Sequence, residues 1–267
     1  MNRESTAVSA GYMESRLETS AQVSGKTPTS SLCPVIYGFD SVSNMALVKY
    51  IRSHPGEGIK CLIGLHPFYA RLYTDDFLCG YMDIIESNMD IIAGIGMIGL
   101  DYTGKSTGFL NPQYERTGKD TRVTQMNTLR EMILLSEKYT LPMVLYERGA
   151  SDDLLYVLGD NKKNISRIVV CTRDRKYMKR YMDLGCRIGI HVTANIIAEL
   201  ESMLETIPLD RLVANPIPPP WITENQVKGD TDFLFSYMRQ QVSVWRNKKT
   251  ENPVKTILMN TYDFFHI

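Results

Sequence analysis

The 267-residue chain is 43% apolar and 22% charged, with 30 basic residues matched by 30 acidic ones. This is the balance of an ordinary soluble globule, without a global electrostatic pull toward nucleic acid or an anionic membrane. No apolar run approaches the roughly 20 residues of a membrane span, and Met1 to Ser31, Ser/Thr-rich and carrying Glu4, Glu14 and Glu18, lacks the apolar core of a signal peptide.

Residues 6–13 give a short first strand, and 14–31 are polar. Pro34–Phe39 reads as a strand. Asp40 and Ser43 supply N-cap chemistry for a helix to about Ser53, ended by His54-Pro55-Gly56. Ile59–Leu65 is a strand closed by His66-Pro67, and Phe77, Leu78, Met82 and Ile85 space a helix over Asp75–Asn88. A strand over 91–98 leads into a Gly-, Thr- and Asn-rich loop at 103–119. Thr121–Tyr139 is a helix whose buried stripe is Met126, Leu129, Ile133 and Leu134. Strands at 141–146, 167–171, 186–191 and 210–214 then alternate with helices at 152–158, 173–184 and 195–206, Gly185 ending the second of these. Pro216, Pro218, Pro219 and Pro220 enforce an extended loop, and helices at 231–245 and 253–265 close the chain.

About eight strands alternating with helices imply parallel pairing through right-handed crossovers. The fold class is α/β, a TIM-like (β/α)8 barrel with an irregular first strand; a doubly wound open sheet is the alternative. Residues 1–31 form a polar N-terminal segment and 32–267 the barrel, one domain overall. Cys33, Cys61, Cys79, Cys171 and Cys186 are scattered without a CxxC. Reduced, mostly buried thiols in a cytoplasmic or nuclear compartment follow.

Chemistry in such a barrel belongs at the C-terminal ends of the strands. The polar residues there are His66, Asp101, Glu147, Arg148 and His191. His66 reads first as a histidine bonding backbone at a strand-to-loop turn, and second as a ligand or acid/base. Asp101 reads first as the cap of the turn that follows and second as a metal ligand. Glu147 faces away from Tyr146 and forms an ion pair with Arg148; Arg148 can also grip an anion with its fork of donors. His191 reads as a satisfied core histidine. Lys162-Lys163 and Lys248-Lys249 are solvated faces, and Gly94, Gly96 and Gly99 lack the dinucleotide-binding context.

Several blocks taken together resemble the TatD family of metal-dependent deoxyribonucleases, amidohydrolase-like barrels. Gly64-Leu65-His66-Pro67 resembles the family's G-x-H-P, and Gly94 to Tyr102 its I-G-E-x-G-L-D-Y. Gln125 through Leu141 to Ala150 resembles Q…L-P-V-x-I-H-x-R-x-A, Ile207 to Val213 the lead-in to E-T-D, and Asn260 with Phe264 the closing pattern. The resemblance implies a metal site of an H-x-H, a Glu, two further His and an Asp. The H-x-H falls near Gly11 and Met13, the Glu on Met97, the next His on Tyr146, the third on Val170 before Cys171, and the Asp on Ile217. Met, Val and Ile bind divalent cations poorly or not at all. The expectation is therefore a catalytically inactive barrel with no cofactor, acting as a binding or scaffold module beside an active relative or in a larger assembly. The alternative is a TatD-type phosphodiester hydrolase with relocated ligands, drawn from His66, Asp101 and Arg148. In that case a Zn, Mg or Mn ion is the cofactor and DNA the partner. No membrane partner is expected.

Overall fold

The computed structural model describes residues 35–103, 119–160, 162–172, 174–191, 206–215 and 253–267. Seven strands form one sheet: β1 (Val35–Tyr37), β2 (Lys60–Ile63), β3 (Ile92–Asp101), β4 (Met143–Arg148), β5 (Ile168–Cys171), β6 (Arg187–His191) and β7 (Leu212–Asn215). All are parallel, and their order in the sheet is their order in the chain. Right-handed crossovers that always advance in one direction give this order, whereas a doubly wound sheet reverses at its switch point. The architecture is that of the TIM-like barrel. The strand expected at 6–13 lies outside the described residues, as do the 104–118 loop, the proline segment and the helices expected at 195–206 and 231–245.

The connecting helices are α1 (Ser41–Ser53), α2 (Asp75–Ser87), α3 (Lys119–Tyr139), α4 (Ser151–Asp160) and α5 (Arg175–Leu184), with α6 (Pro253–Phe265) after β7. Their ends follow local chemistry. Asp40 accepts the Ser43 amide at 2.8 Å while Ser43 Oγ accepts the Asp40 amide at 3.0 Å, a reciprocal cap for α1. α5 starts at Arg175, two residues later than the sequence suggests, because Asp174 caps it by accepting the Lys176 amide at 3.1 Å. Gly185 ends that helix in the left-handed conformation. On α3 one expectation fails. Leu134 is 53% exposed, and the buried face runs through Gln125, Leu129, Met132, Ile133 and Ser136. At 100° per residue Leu134 sits about 150° from the middle of that stripe, close to the opposite side of the helix.

The strands divide their side chains between two apolar clusters. Ile63, Ile95, Ile98, Leu100, Leu145, Val170, Ile188 and Leu212 pack with helix residues such as Leu47, Ile85 and Leu129. Tyr37, Leu62, Ala93, Met97, Val144, Tyr146, Val169, Cys171 and Val213 pack with one another and with Phe264 and Phe265 of α6. The first set is the layer between sheet and helices, the second the barrel interior. Ile95 and Ile98 lie in the same layer three residues apart, which strict alternation forbids. A bulge absorbs the extra residue: Gly96 pairs with Val144 and Ile98 with Leu145, leaving Met97 without an opposite.

Past the bulge, β3 presses closely on β4. Gly99 has φ +146°, and a Cβ there would lie 2.0 Å from the Tyr146 carbonyl oxygen. Gly99→Ala is expected to cost about 3 kcal/mol or more, from backbone strain and overlap together. Gly159→Ala is the control: that helical position has nothing within 4 Å and should gain roughly 0.5–1 kcal/mol. Urea denaturation of the two variants checks both signs.

Candidate functional site

The ends of β2 to β5 bring His66, Asp101, Tyr146, Arg148 and Cys171 to the interior side of one barrel mouth. Each end is fixed by a side chain from elsewhere. Beyond β2, buried Asn44 of α1 donates to the Gly64 carbonyl at 2.9 Å and accepts the Gly64 amide at 3.1 Å. His66 follows two residues later and is 2% exposed. Its Nδ1 accepts the Phe68 amide at 3.3 Å, and its ring lies 5.4 Å from that of Tyr146. Burial, helped by the positive charge of Arg148, pushes its pKa from 6.5 down to about 3. The ring is neutral, and with Nδ1 accepting, its proton sits on Nε2.

At the end of β3, Gln125 of α3 clamps the Asp101 backbone, accepting its amide at 2.8 Å and donating to its carbonyl at 3.1 Å. Asp101 Oδ1 accepts the Thr103 amide at 2.9 Å and the Thr103 hydroxyl at 2.7 Å, so the residue caps the turn that follows its strand. Oδ2 is buried without a hydrogen bond and faces Arg148 Nη1 at 3.6 Å. Burial raises the Asp101 pKa above the ordinary carboxylate value; the Thr103 bonds and then Arg148 pull against it.

On β4, Arg148 Nη1 also donates to Tyr146 Oη at 3.4 Å. The ion pair expected between Glu147 and Arg148 is not formed. Neighbours on a strand point to opposite faces, and Arg148 instead sits in register with Asp101 across the sheet. Buried Glu147 turns outward and accepts the Ala150 amide at 2.7 Å and the Thr172 hydroxyl, tying β4 to the start of α4 and the end of β5.

Val170 also needs correction. It packs in the helix-facing layer, while Val169 and Cys171 face the interior. Tyr146 pairs in register with Cys171. The interior residue beside Met97 and Tyr146 is thus Cys171, one position from the residue that the resemblance picks out. His191 closes β6; its side chain, and Ile217, Gly11 and Met13 altogether, lie outside the described residues.

Among the described residues, no three His, Cys, Asp or Glu side chains are grouped to hold a metal ion. The positions matched to the family's Glu and second His carry Met97 and Tyr146, 1% and 2% exposed within an apolar cluster. His66 has committed Nδ1 to backbone, and Asp101 has committed Oδ1 to a turn and Oδ2 to a cation. Among the described residues, the donors at these strand ends do not make up a divalent-ion site.

Comparison with known proteins gives one consistent answer. Residues 18–266 match the family model for TatD-related DNases. The uncharacterized metal-dependent hydrolase YabD of Bacillus subtilis is 23% identical over 241 residues, 87% of each chain. The crystal structure of YjjV, a TatD homologue from Escherichia coli, superposes with a TM-score of 0.65 at 21% identity, covering 96% of this chain and 93% of that one. A TatD-family hydrolase from Entamoeba histolytica gives 0.64 at 18%, covering 86% and 83%.

Neutral His66 makes stability depend on pH. Its folded pKa lies below its unfolded one, so its contribution is fully present above pH 6.5 and drains as pH falls toward 3. Between pH 7 and 4.5 this amounts to roughly 2–3 kcal/mol at about 1.4 kcal/mol per unit. His66→Gln, with no group to titrate, should lose that much less over the same range in urea denaturation.

Proposed function

We propose that the chain, which belongs to the TatD-related DNase family, is a binding or scaffold module that has given up the family's metal-dependent hydrolysis. One observation carries this reading. The bulge of β3 turns residue 97 into the barrel, and the side chain it delivers is a buried methionine packed beside Tyr146 and Cys171. Phosphodiester hydrolysis by a metal-bound hydroxide needs carboxylate and imidazole ligands that converge. Thioether and phenol at these positions supply neither the charge nor the geometry.

The remaining polar groups support the same reading. A relocated metal site would draw on His66, Asp101 and Arg148, but these are tied to the Phe68 amide, to Thr103 and to each other. An arginine in the cluster repels a cation. Partners suited to such a module are an active relative of the same fold or a larger assembly.

Elemental analysis after purification without chelators should find Zn, Mn and Mg well below one per chain. Nuclease assays across the same metals should show nothing above background. Stoichiometric metal with chelation-sensitive cleavage would overturn the reading. Met97→Glu gives a second check. A carboxylate buried in this apolar cluster should cost several kcal/mol at pH 7. If the variant instead folds as stably as the parent and takes up Zn, a latent ligand set is present and the reading fails.

A further inference from the structure

The outer side of α3 carries charges in an order that repeats with inverted sign. Leu134, 53% exposed, stands nearly opposite the buried stripe. At 100° per residue, Arg130 and Glu137 lie about 40–60° to one side of it, and Glu131 and Lys138 about as far to the other. Each side thus holds one cation and one anion, two turns apart. Tyr156 of α4, 60% exposed, lies on the Arg130 side, with the Arg130 guanidinium 5.8 Å from its ring centre. Among the described residues the other contact of Arg130 is also neutral, a bond to Asn127 Oδ1 at 3.3 Å. Lys138, on the far side, faces Glu86 of α2 at 4.0 Å.

We infer that this face pairs with the same face of a second copy of the chain, α3 against α3, antiparallel and centred on Leu134. A two-fold axis perpendicular to both helices sets like side against like side. Arg130 lies four residues before Leu134 and Glu137 three after it. The antiparallel copy therefore brings the partner's Glu137 within about 1.5 Å of Arg130 along the helix axis. Glu131 meets the partner's Lys138 in the same way, and symmetry repeats each pair. The two Leu134 side chains meet at the axis, and both copies of Tyr156 fall on one side of the seam. Charges flanking an apolar seam set partner choice and orientation. A parallel pair also opposes unlike charges, but it turns Tyr156 of one copy toward the Lys138–Glu86 side of the other, where the ring meets charge. A slide that seats Val123, 50% exposed, on the partner's Leu134 brings the two Arg130 side chains together. The inference stands whether or not the barrel holds a metal.

Sedimentation velocity on the full chain over a concentration series tests it. The seam is short, so a reversible monomer–dimer equilibrium in roughly the micromolar range is expected. Arg130→Glu and Glu137→Arg should each weaken dimerisation about tenfold or more, because each leaves like charges facing across the seam. The double variant should return to within about threefold of the parent. An equimolar mixture of the two single variants should form the mixed dimer, since an acidic side then meets a basic one. Leu134→Glu should abolish pairing, with circular dichroism confirming the fold of each variant. A chain that stays monomeric at its highest soluble concentration overturns the inference and leaves the face to a partner of another sequence. A dimer that a folded Leu134→Glu variant leaves intact overturns it too. So does a dimer that the double variant loses, because in a parallel pair the swapped charges would face Glu131 and Lys138 of like sign.

Discussion

The break in pairing at Met97 sets the geometry of everything at the barrel mouth. β3 must pass Ile95 and Ile98 to the helix layer and Ala93 and Met97 to the interior, which a regular strand cannot do. The bulge between Gly96 and Ile98 resolves the step from Ile95 to Ile98 and fixes the phase of the rest of the strand, while a register shift against β2, where Cys61 pairs with Ile92 and Leu62 with Gly94, resolves the step from Ala93 to Ile95. Leu100 then falls outside and Asp101 opposite Arg148. Gly99 holds the closest approach, where the β4 backbone leaves no room for a side chain. Bulges often re-aim side chains next to active sites, and here the residue turned inward is the apolar Met97.

On the reading proposed above, thioether, phenol and thiol stand where the family's pattern has carboxylate and imidazole, and the energetics change with the chemistry. An empty cluster of buried ligands carries mutual repulsion and desolvation, and well-packed apolar substitutes are often neutral or more stable by on the order of 1–4 kcal/mol. Met97, Tyr146, Val169 and Cys171 join one continuous apolar cluster reaching Phe264 and Phe265 of α6. Polarity persists only where another group holds it. Asn44 clamps Gly64, Gln125 clamps Asp101, and Glu147 joins Ala150 to Thr172. These anchors belong to the scaffold and not to the positions matched to ligands.

The fold was legible because apolar runs and caps are local signals. Asp40, Gly185 and the strand-closing His66-Pro67 each announce a boundary by their own chemistry, and the strands at 35–37, 60–63 and 143–148 lie where their apolar runs place them. What failed was phase. β5 is four buried residues, Ile168 to Cys171, so its sequence has no polar alternation to show which side faces inward. Val170 and Cys171 were indistinguishable until the register with Tyr146 separated them. The partner of Arg148 was hidden for a related reason. Adjacency in sequence suggested Glu147, but strand geometry sends neighbours apart and brings in a residue 47 positions earlier through cross-strand register. Leu134 misled because helical spacing alone fits more than one stripe on a helix as long as α3. Gln125 and Asn44 bond backbone amides and carbonyls, which every residue carries, so nothing in the sequence told what they clamp, even though Gln125 opens one of the blocks that resemble the family.

The Asp101–Arg148 pair shows how scaffold and site divide their labour. A pair that served only to pin β3 to β4 would be expected to close to hydrogen-bonding distance, since a buried carboxylate gains most from a direct charge-assisted bond. Here Nη1 stands 3.6 Å from Asp101 Oδ2 and 3.4 Å from Tyr146 Oη, slack in both directions. The Asp101 pKa is accordingly raised, because a cation at this range offsets only part of the cost of burial. Pinning is done instead by Gln125 and by the strand register.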